Sequence, residues 1–497
     1  MNPPGSKSQP TLARNLTLVG LVATGVCSMI GAAINTIPFT LQRSVPGIGP
    51  NVLAVFVIAA VPAVLAGLSF AILASAMPNA GGTYVYASRS LNPYLGFVAS
   101  FSQWLAICVA MGVVSYLVVP FLRDLAVALE WPAAAGALDG RVLRVAVPLA
   151  LLGAAAFVNI RGIETYQRTV VPLMFLTLAI GAVVIVAGMS YTHADFTAAV
   201  LARDGAAIPA GRSEPVSLFS LMPAVPVIFS CFIGFDSIAQ AGGEARNPTR
   251  NLPLAILISV VGVAIFYLLF TAAVYHAVPW SFVADQAQHR DVTAPGLLGY
   301  LLPRPWAVLI AAGVSVALIK DLPAMLMGIS RLLFAWAEDG IFPARVAAVH
   351  PVRRTPHVAI IVSTMMASVA VLGCYVAGDF LLGVDILVTA MLVNFILMCV
   401  SVLALPRRNP AIAERIIVLK SRRLQVIVAT AGVVTLASLL AVHTGRDLNA
   451  AIPWYLRSSW DWLIVMVIGT AIYLRETAKL RRAGVDVDAR FRELPAQ

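Results

Sequence analysis

Runs of apolar residues, each about as long as a helix needs to cross a bilayer core of roughly 30 Å, recur from one end of the chain to the other. Twelve such segments are read, at 17–41, 50–76, 94–122, 142–158, 169–189, 217–242, 253–275, 306–335, 357–377, 381–405, 424–442 and 460–474. The first is too long for a cleaved signal, its small residues fall mid-segment, and no cleavage pattern precedes Asn15. Two segments are interrupted. Gly25 to Ala33 breaks segment 1, and Ser230 to Asp236 breaks segment 6, which lies five segments later and runs the opposite way. Small-residue breaks at corresponding positions of two odd-numbered halves predict inverted five-helix repeats. A short amphipathic stretch, 81–92, follows segment 2, and its counterpart, 281–301, follows segment 7. The expected fold is an all-α membrane protein of twelve transmembrane helices, a 5+5 inverted repeat with broken helices 1 and 6, and two C-terminal helices. The expected domains are a tail at 1–14, a core at 15–405, segments 11–12 with a basic linker at 406–474, and a tail at 475–497.

Composition agrees. Of 497 residues 60% are hydrophobic and only 11% charged, and mean hydropathy is +0.89. A soluble enzyme, a disordered regulator and a disulfide scaffold are excluded on that balance. The net charge of +11 would suggest nucleic acid in a soluble chain; here it asks which face of a bilayer carries the excess. With twelve segments both termini share a side. The loops on that side hold more than twice as many Lys and Arg as the opposite ones, so both ends are expected to be cytoplasmic in a cell membrane. Arg407 to Arg423 is expected to set orientation and to touch anionic lipid. Cys27, Cys108, Cys231, Cys374 and Cys399 lie in apolar runs without a CxxC pair; they read as small apolar fillers, with no metal or disulfide framework.

A helix that stops inside a membrane leaves unpaired N–H and C=O groups, each costing several kcal/mol in hydrocarbon, and survives only where it lines a cavity. The N–H groups and positive dipole end at Gly31 to Ala33 suit a carboxylate, and the carbonyls near Ser230 to Ile233 suit an ammonium. The opposed breaks describe a pocket for a zwitterion. The alternative reading is that glycine is simply frequent in transmembrane helices.

Charges within the segments also need a reason. Lys320 and Asp321 sit at the centre of segment 8 and, as helical neighbours about 100° apart, pair poorly with each other. Asp236 directly follows the break and reads as a gate or site residue, or as the cap of the inner half of segment 6. Arg331, near the end of segment 8, is expected to snorkel or to pair with a nearby acid; Asp385 is expected at the interface.

Three stretches resemble the amino acid-polyamine-organocation (APC) transporters. Phe232-Ile233-Gly234-Phe235-Asp236, followed by Gly243-Glu244-Ala245-Arg246-Asn247-Pro248-Thr249-Arg250-Asn251-Leu252-Pro253-Leu254-Ala255-Ile256, is similar to that family's F-x-G-F-E/D and E-x-x-N-P-x-R-x-x-P-x-A-I signature. Met77 to Tyr86, with Asn92-Pro93 and Gly96-Phe97, resembles its P-x-x-G-G-x-Y-x-Y and G-F stretch, and Ser330 to Phe334 with Glu338 to Pro343 its end of helix 8. The resemblance covers roughly 15–405. One departure stands in segment 1: where the family usually reads I-G-x-G-I-F, this chain reads Ile30-Gly31-Ala32-Ala33-Ile34-Asn35, so a methyl narrows the carboxylate site, and Asn35 either faces the cavity or bonds a neighbouring helix.

The resemblance implies a permease for amino acids or related amines, working by alternating access around a midplane site. It implies Met29, Ile30, Gly31, Ala32 and Ala33 at the carboxylate, Ser230, Cys231, Phe232 and Ile233 at the amine, and Asp236 as the acid near the inner gate. In sodium-coupled members this depth of helix 8 faces a cation site against helix 1. Lys320 as a substitute cation, or Asp321 as proton carrier or sodium ligand, is therefore the expected ion-coupling element, a buried structural pair being the alternative. Proton symport is the first expectation, exchange and sodium coupling follow, and a channel-like or ligand-sensing protein of the same fold is the reading from another class. No G-x-x-x-x-G-K, no Ser-His-Asp or H-E-x-x-H arrangement and no metal-spaced histidine pair is present in the sequence, so no enzyme activity, cofactor, metal or nucleic-acid partner is expected. The small, mildly apolar wall at Ser230, Cys231 and Phe232 favours a neutral substrate, while Asp236 suits a cationic one.

Overall fold

The computed structural model describes residues 16–497 except 80, 162–165, 206, 210–217, 354, 487–493 and 495–497, and leaves out the side chains of 166–170 and 218–219. The expected N-terminal tail and the end of the C-terminal tail lie outside the described residues. Among those residues there is no strand; the one extended pairing is an isolated bridge between Leu16 and Ala245.

Eleven helical segments among the described residues are long and apolar enough to cross a membrane. They coincide with the first eleven predicted segments, from Leu18–Ser44 to Arg422–Asn449. Helix is the only open-ended way to satisfy every main-chain group in lipid. A further helix, Ser458–Arg482, covers the twelfth. Its apolar stretch is shorter, closed by Asp461 on one side and by Arg475 and Glu476 on the other. The two amphipathic stretches form the short helices Gly82–Ser90 and Trp280–His289.

Helix starts follow local chemistry. The Thr17 hydroxyl accepts from the Gly20 N–H at 3.3 Å and opens segment 1, and the Asn92 side chain accepts from the Leu95 N–H at 2.8 Å and opens segment 3, whose Pro93 occupies the first turn, where no N–H is needed. Segment 3, Pro93–Ala128, runs through the middle of the bundle and packs on segments 4, 8, 9 and 10, while segment 7 packs on segments 1, 2 and 5. Aromatic rings tie the layers together: Phe235 of segment 6 stacks on Phe395 of segment 10 at 5.0 Å between centroids and meets Phe70 of segment 2 edge-on at 5.4 Å. Such pairs add about 0.5–1.5 kcal/mol beyond their buried area.

Candidate functional site

Segment 1 consists of two helices, Leu18–Met29 and Ala32–Ser44. Ile30 is extended at φ −83°, ψ 93°, Gly31 sits at φ −140°, ψ −135°, and no side chain caps the second helix. Its first N–H groups are therefore available to a ligand. Segment 6 is more fragmented: the helix Val225–Phe229, a tighter turn Ser230–Phe232 and an extended Ile233, then the helix Asp236–Gln240. Between them Gly234 has φ 136°, where a Cβ would also stand 2.6 Å from the Ser28 carbonyl oxygen. Glycine is required there on both counts.

The two breaks meet. The Ser237 hydroxyl donates to Ser28 Oγ at 3.0 Å, and one phenol spans both: Tyr267 of segment 7 reaches the Met29 carbonyl at 2.5 Å and the Cys231 carbonyl at 3.0 Å. Sequence reading missed Tyr267, although a hydroxyl amid an apolar run was the available signal. Phe232 packs its ring on Phe56 and Tyr267.

Of the sequence-predicted residues, Met29, Ile30, Ala32, Ser230, Cys231 and Phe232 are buried, while Gly31, Ala33 and Ile233 are half-buried. Ser230 Oγ donates to the Val227 carbonyl at 2.6 Å. Asn35 donates to the Gly31 carbonyl at 3.1 Å, and its Oδ1 has no hydrogen-bond partner among the described residues. Both border a cleft of about 370 Å³ between segments 1, 5, 7 and 8, with Thr177 and Phe270 across it.

Asp321 Oδ2 lies 3.9 Å from where a Gly31 Cβ would be, so helix 8 brings a carboxylate to the break in segment 1. Lys320 is exposed. Neither makes a hydrogen bond or an ion pair within 4.0 Å among the described residues. Pro323 has no N–H for the Ile319 carbonyl, which weakens the helix at this level. Asp236 points elsewhere. It is 2% exposed; Oδ1 accepts from the Gly234 N–H at 3.2 Å and Oδ2 accepts from the Gln103 amide of segment 3.

The two faces around the breaks differ. Toward the Leu16 face Ser28 is exposed and Gly234, Ser237 and Gln240 are half-buried, and Arg331 pairs with Glu244 at 3.4 Å. On the opposite face Arg43, at the end of segment 1, bridges Asp379 at 2.8 Å and Asp291 at 3.5 Å. Arg144 also pairs with Asp291, and Arg123 donates to the Asp291 carbonyl at 3.1 Å. Among the described residues no cluster of His, Cys, Asp or Glu is arranged to hold a metal ion.

A family model described as amino acid permease matches residues 16–473. An uncharacterised transporter of Mycobacterium tuberculosis is 30% identical over 368 residues, covering 72% of this chain and 74% of the relative. A branched-chain amino acid permease of Bacillus subtilis is 26% identical over 420 residues, covering 82% and 83%. A vacuolar cationic amino acid transporter of Arabidopsis thaliana is 27% identical over 354 residues, covering 69% of this chain and 56% of the relative.

Proposed function

Because the chain belongs to the amino acid permease family, a family of multi-pass membrane transporters and not of enzymes, we propose that it is a secondary transporter of an amino acid or related amine in the cell membrane, with both termini cytoplasmic and proton symport as its mode. The carrying observation is the meeting of two broken helices at Ser28 and Ser237. In this reading the uncapped N–H groups after Gly31 take the carboxylate, and the carbonyls around Ser230 to Ile233 take the ammonium. Relatives named for branched-chain and for cationic amino acids favour an α-amino acid as substrate.

Twelve spans arranged as two inverted five-helix repeats, with segments 11 and 12 added, account for the corresponding breaks in segments 1 and 6. With the Leu16 face cytoplasmic, the opening at Ser28 and the ionic cluster around Arg43 describe an inward-facing carrier closed on its outer side. Asp321 beside Gly31 supplies the proton carrier, with Lys320 its neighbouring cation.

Purified protein in liposomes tests this. Preloading with unlabelled substrate accelerates labelled uptake if the protein is a carrier and leaves it unchanged for a channel or a sensor. An inward proton gradient drives accumulation if symport is right. Dependence on internal amino acid alone identifies an exchanger, and dependence on sodium a sodium-coupled carrier.

A further inference from the structure

A carboxylate buried in a membrane bundle without a cation is costly, and Asp236 is one: among the described residues its carboxylate is held by the Gln103 amide and the Gly234 N–H, with no Lys, Arg or His nitrogen within 4.0 Å. On the short helix Gly82–Ser90, Tyr84 donates to Asp339 at 2.7 Å, Arg89 donates to Ser88 Oγ at 2.7 Å, and the buried Tyr86 hydroxyl has no hydrogen-bond partner among the described residues. Segments 2 and 7 carry no charged side chain within the membrane.

What holds Asp236 is a directed chain. Thr83, 1% exposed, donates its hydroxyl to Gln103 Oε1 at 2.6 Å. Gln103, fully buried, donates its amide to Asp236 Oδ2, and the Gly234 N–H donates to Oδ1 at 3.2 Å. Every proton points at the carboxylate, which suits the ionised form, an acceptor only. A neutral carboxyl carries one O–H to donate. Among these three side chains its acceptor is Gln103 Oε1, which requires the amide to reverse and to donate through Nε2 to Thr83 Oγ1.

We propose that Asp236 is a second proton-binding site of the transport cycle, and that reversal of the Gln103 amide against Thr83 accompanies its protonation. This deepens the proton-symport reading and rests on it. The proton that arrives sits on Oδ2, and no bond other than hydrogen bonds changes. Charge-assisted hydrogen bonds are roughly twice as strong as neutral ones, so ionised Asp236 fixes the Asp236–Gln240 half-helix to segment 3 and neutral Asp236 loosens it. Proton occupancy is thereby tied to the mobility of the break at Gly234. Asp236 acts here as a positioning residue and not as a substrate contact.

The test combines infrared difference spectra with uptake in liposomes, each taken across a pH series. In the wild type a carboxylic acid C=O band disappears as pH rises; the band is absent from Asp236→Asn, whose uptake also loses its response to an inward proton gradient. Thr83→Val, which keeps the size of the side chain and removes its hydroxyl, moves the midpoint of the band by about half a pH unit or more and moves the uptake profile with it. A band that persists in Asp236→Asn, or a midpoint and profile unmoved by Thr83→Val, overturns the inference, and the second readout stands even if Asp236→Asn does not fold. Should the wild-type band titrate while a proton gradient drives no uptake, the symport reading falls and Asp236 remains a proton-binding site.

Discussion

The Tyr267 hydroxyl lies 2.5 Å from the Met29 carbonyl oxygen, and the same hydroxyl stands 3.0 Å from the Cys231 carbonyl oxygen. A phenol has one proton, so two main-chain carbonyls, one at each break, share a single donor. Tyr267→Phe keeps the ring contacts with Phe56 and Phe232 and leaves both carbonyls wanting. A loss of about 1–3 kcal/mol is expected for a buried acceptor without a partner. Thermal unfolding in detergent and initial uptake rates check this; a variant with wild-type values in both would show that the phenol staples nothing.

Lys320 and Asp321 differ in their surroundings. Asp321 faces Gly31, whereas Lys320 is exposed. Asp321→Asn is therefore expected to abolish accumulation driven by a proton gradient, by tenfold or more, and Lys320→Met to retain most of it. Full coupled uptake with normal pH dependence in both variants would remove this pair from the mechanism.

The ionic cluster around Arg43 is expected to respond to acid. Burial pushes the Asp379 carboxyl above its ordinary range, with Arg43 beside it pulling the other way. The ion pair needs ionised Asp379, so it is lost as pH falls through a value higher than an exposed aspartate would show, and the face it closes then opens more readily. A cysteine placed at Asn35 and probed with a membrane-impermeant maleimide should label several-fold faster at acidic than at neutral external pH. Arg43→Gln should label fast at both, since it lacks the pairs with Asp379 and Asp291 at either pH. Equal labelling under all four conditions would rule out the cluster as a closure.

Two glycines make a paired test of the break. Gly234 has φ 136° and no room for a methyl beside Ser28; Gly234→Ala is expected to cost about 1–3 kcal/mol and to lower the yield of folded protein. Gly153, inside the helix Arg141–Arg161, has open space where its Cβ would be, so Gly153→Ala should be neutral or stabilising by up to about 1 kcal/mol. Unfolding midpoints measured side by side decide it.

Hydropathy made the helical segments readable because lipid imposes one rule on all of them. The breaks were readable because Gly31 and Gly234 interrupt runs that length alone would keep intact. Side-chain direction was not. Spacing put Asp236 next to the break, yet which way its carboxylate turns depends on Gln103, 133 positions away in the chain, and no local pattern encodes that partner. Tyr267 was hidden for the same reason: its acceptors lie on segments 1 and 6. The Arg43 cluster joins Arg43 to Asp291, 248 residues away, and to the still more distant Asp379, pairings fixed only when the bundle closes.

One small contact at the margin of the bundle has a mechanical corollary. The Leu16 N–H donates to the Glu244 carbonyl at 2.9 Å, and the Arg246 N–H donates back to the Leu16 carbonyl at 2.8 Å. The chain thus ties the entry of its first helix to the exit of its sixth, like a cord knotted across two oars. Neither can be drawn aside without hauling the other, so a shortened start that loses Leu16 would let the two strokes fall out of time.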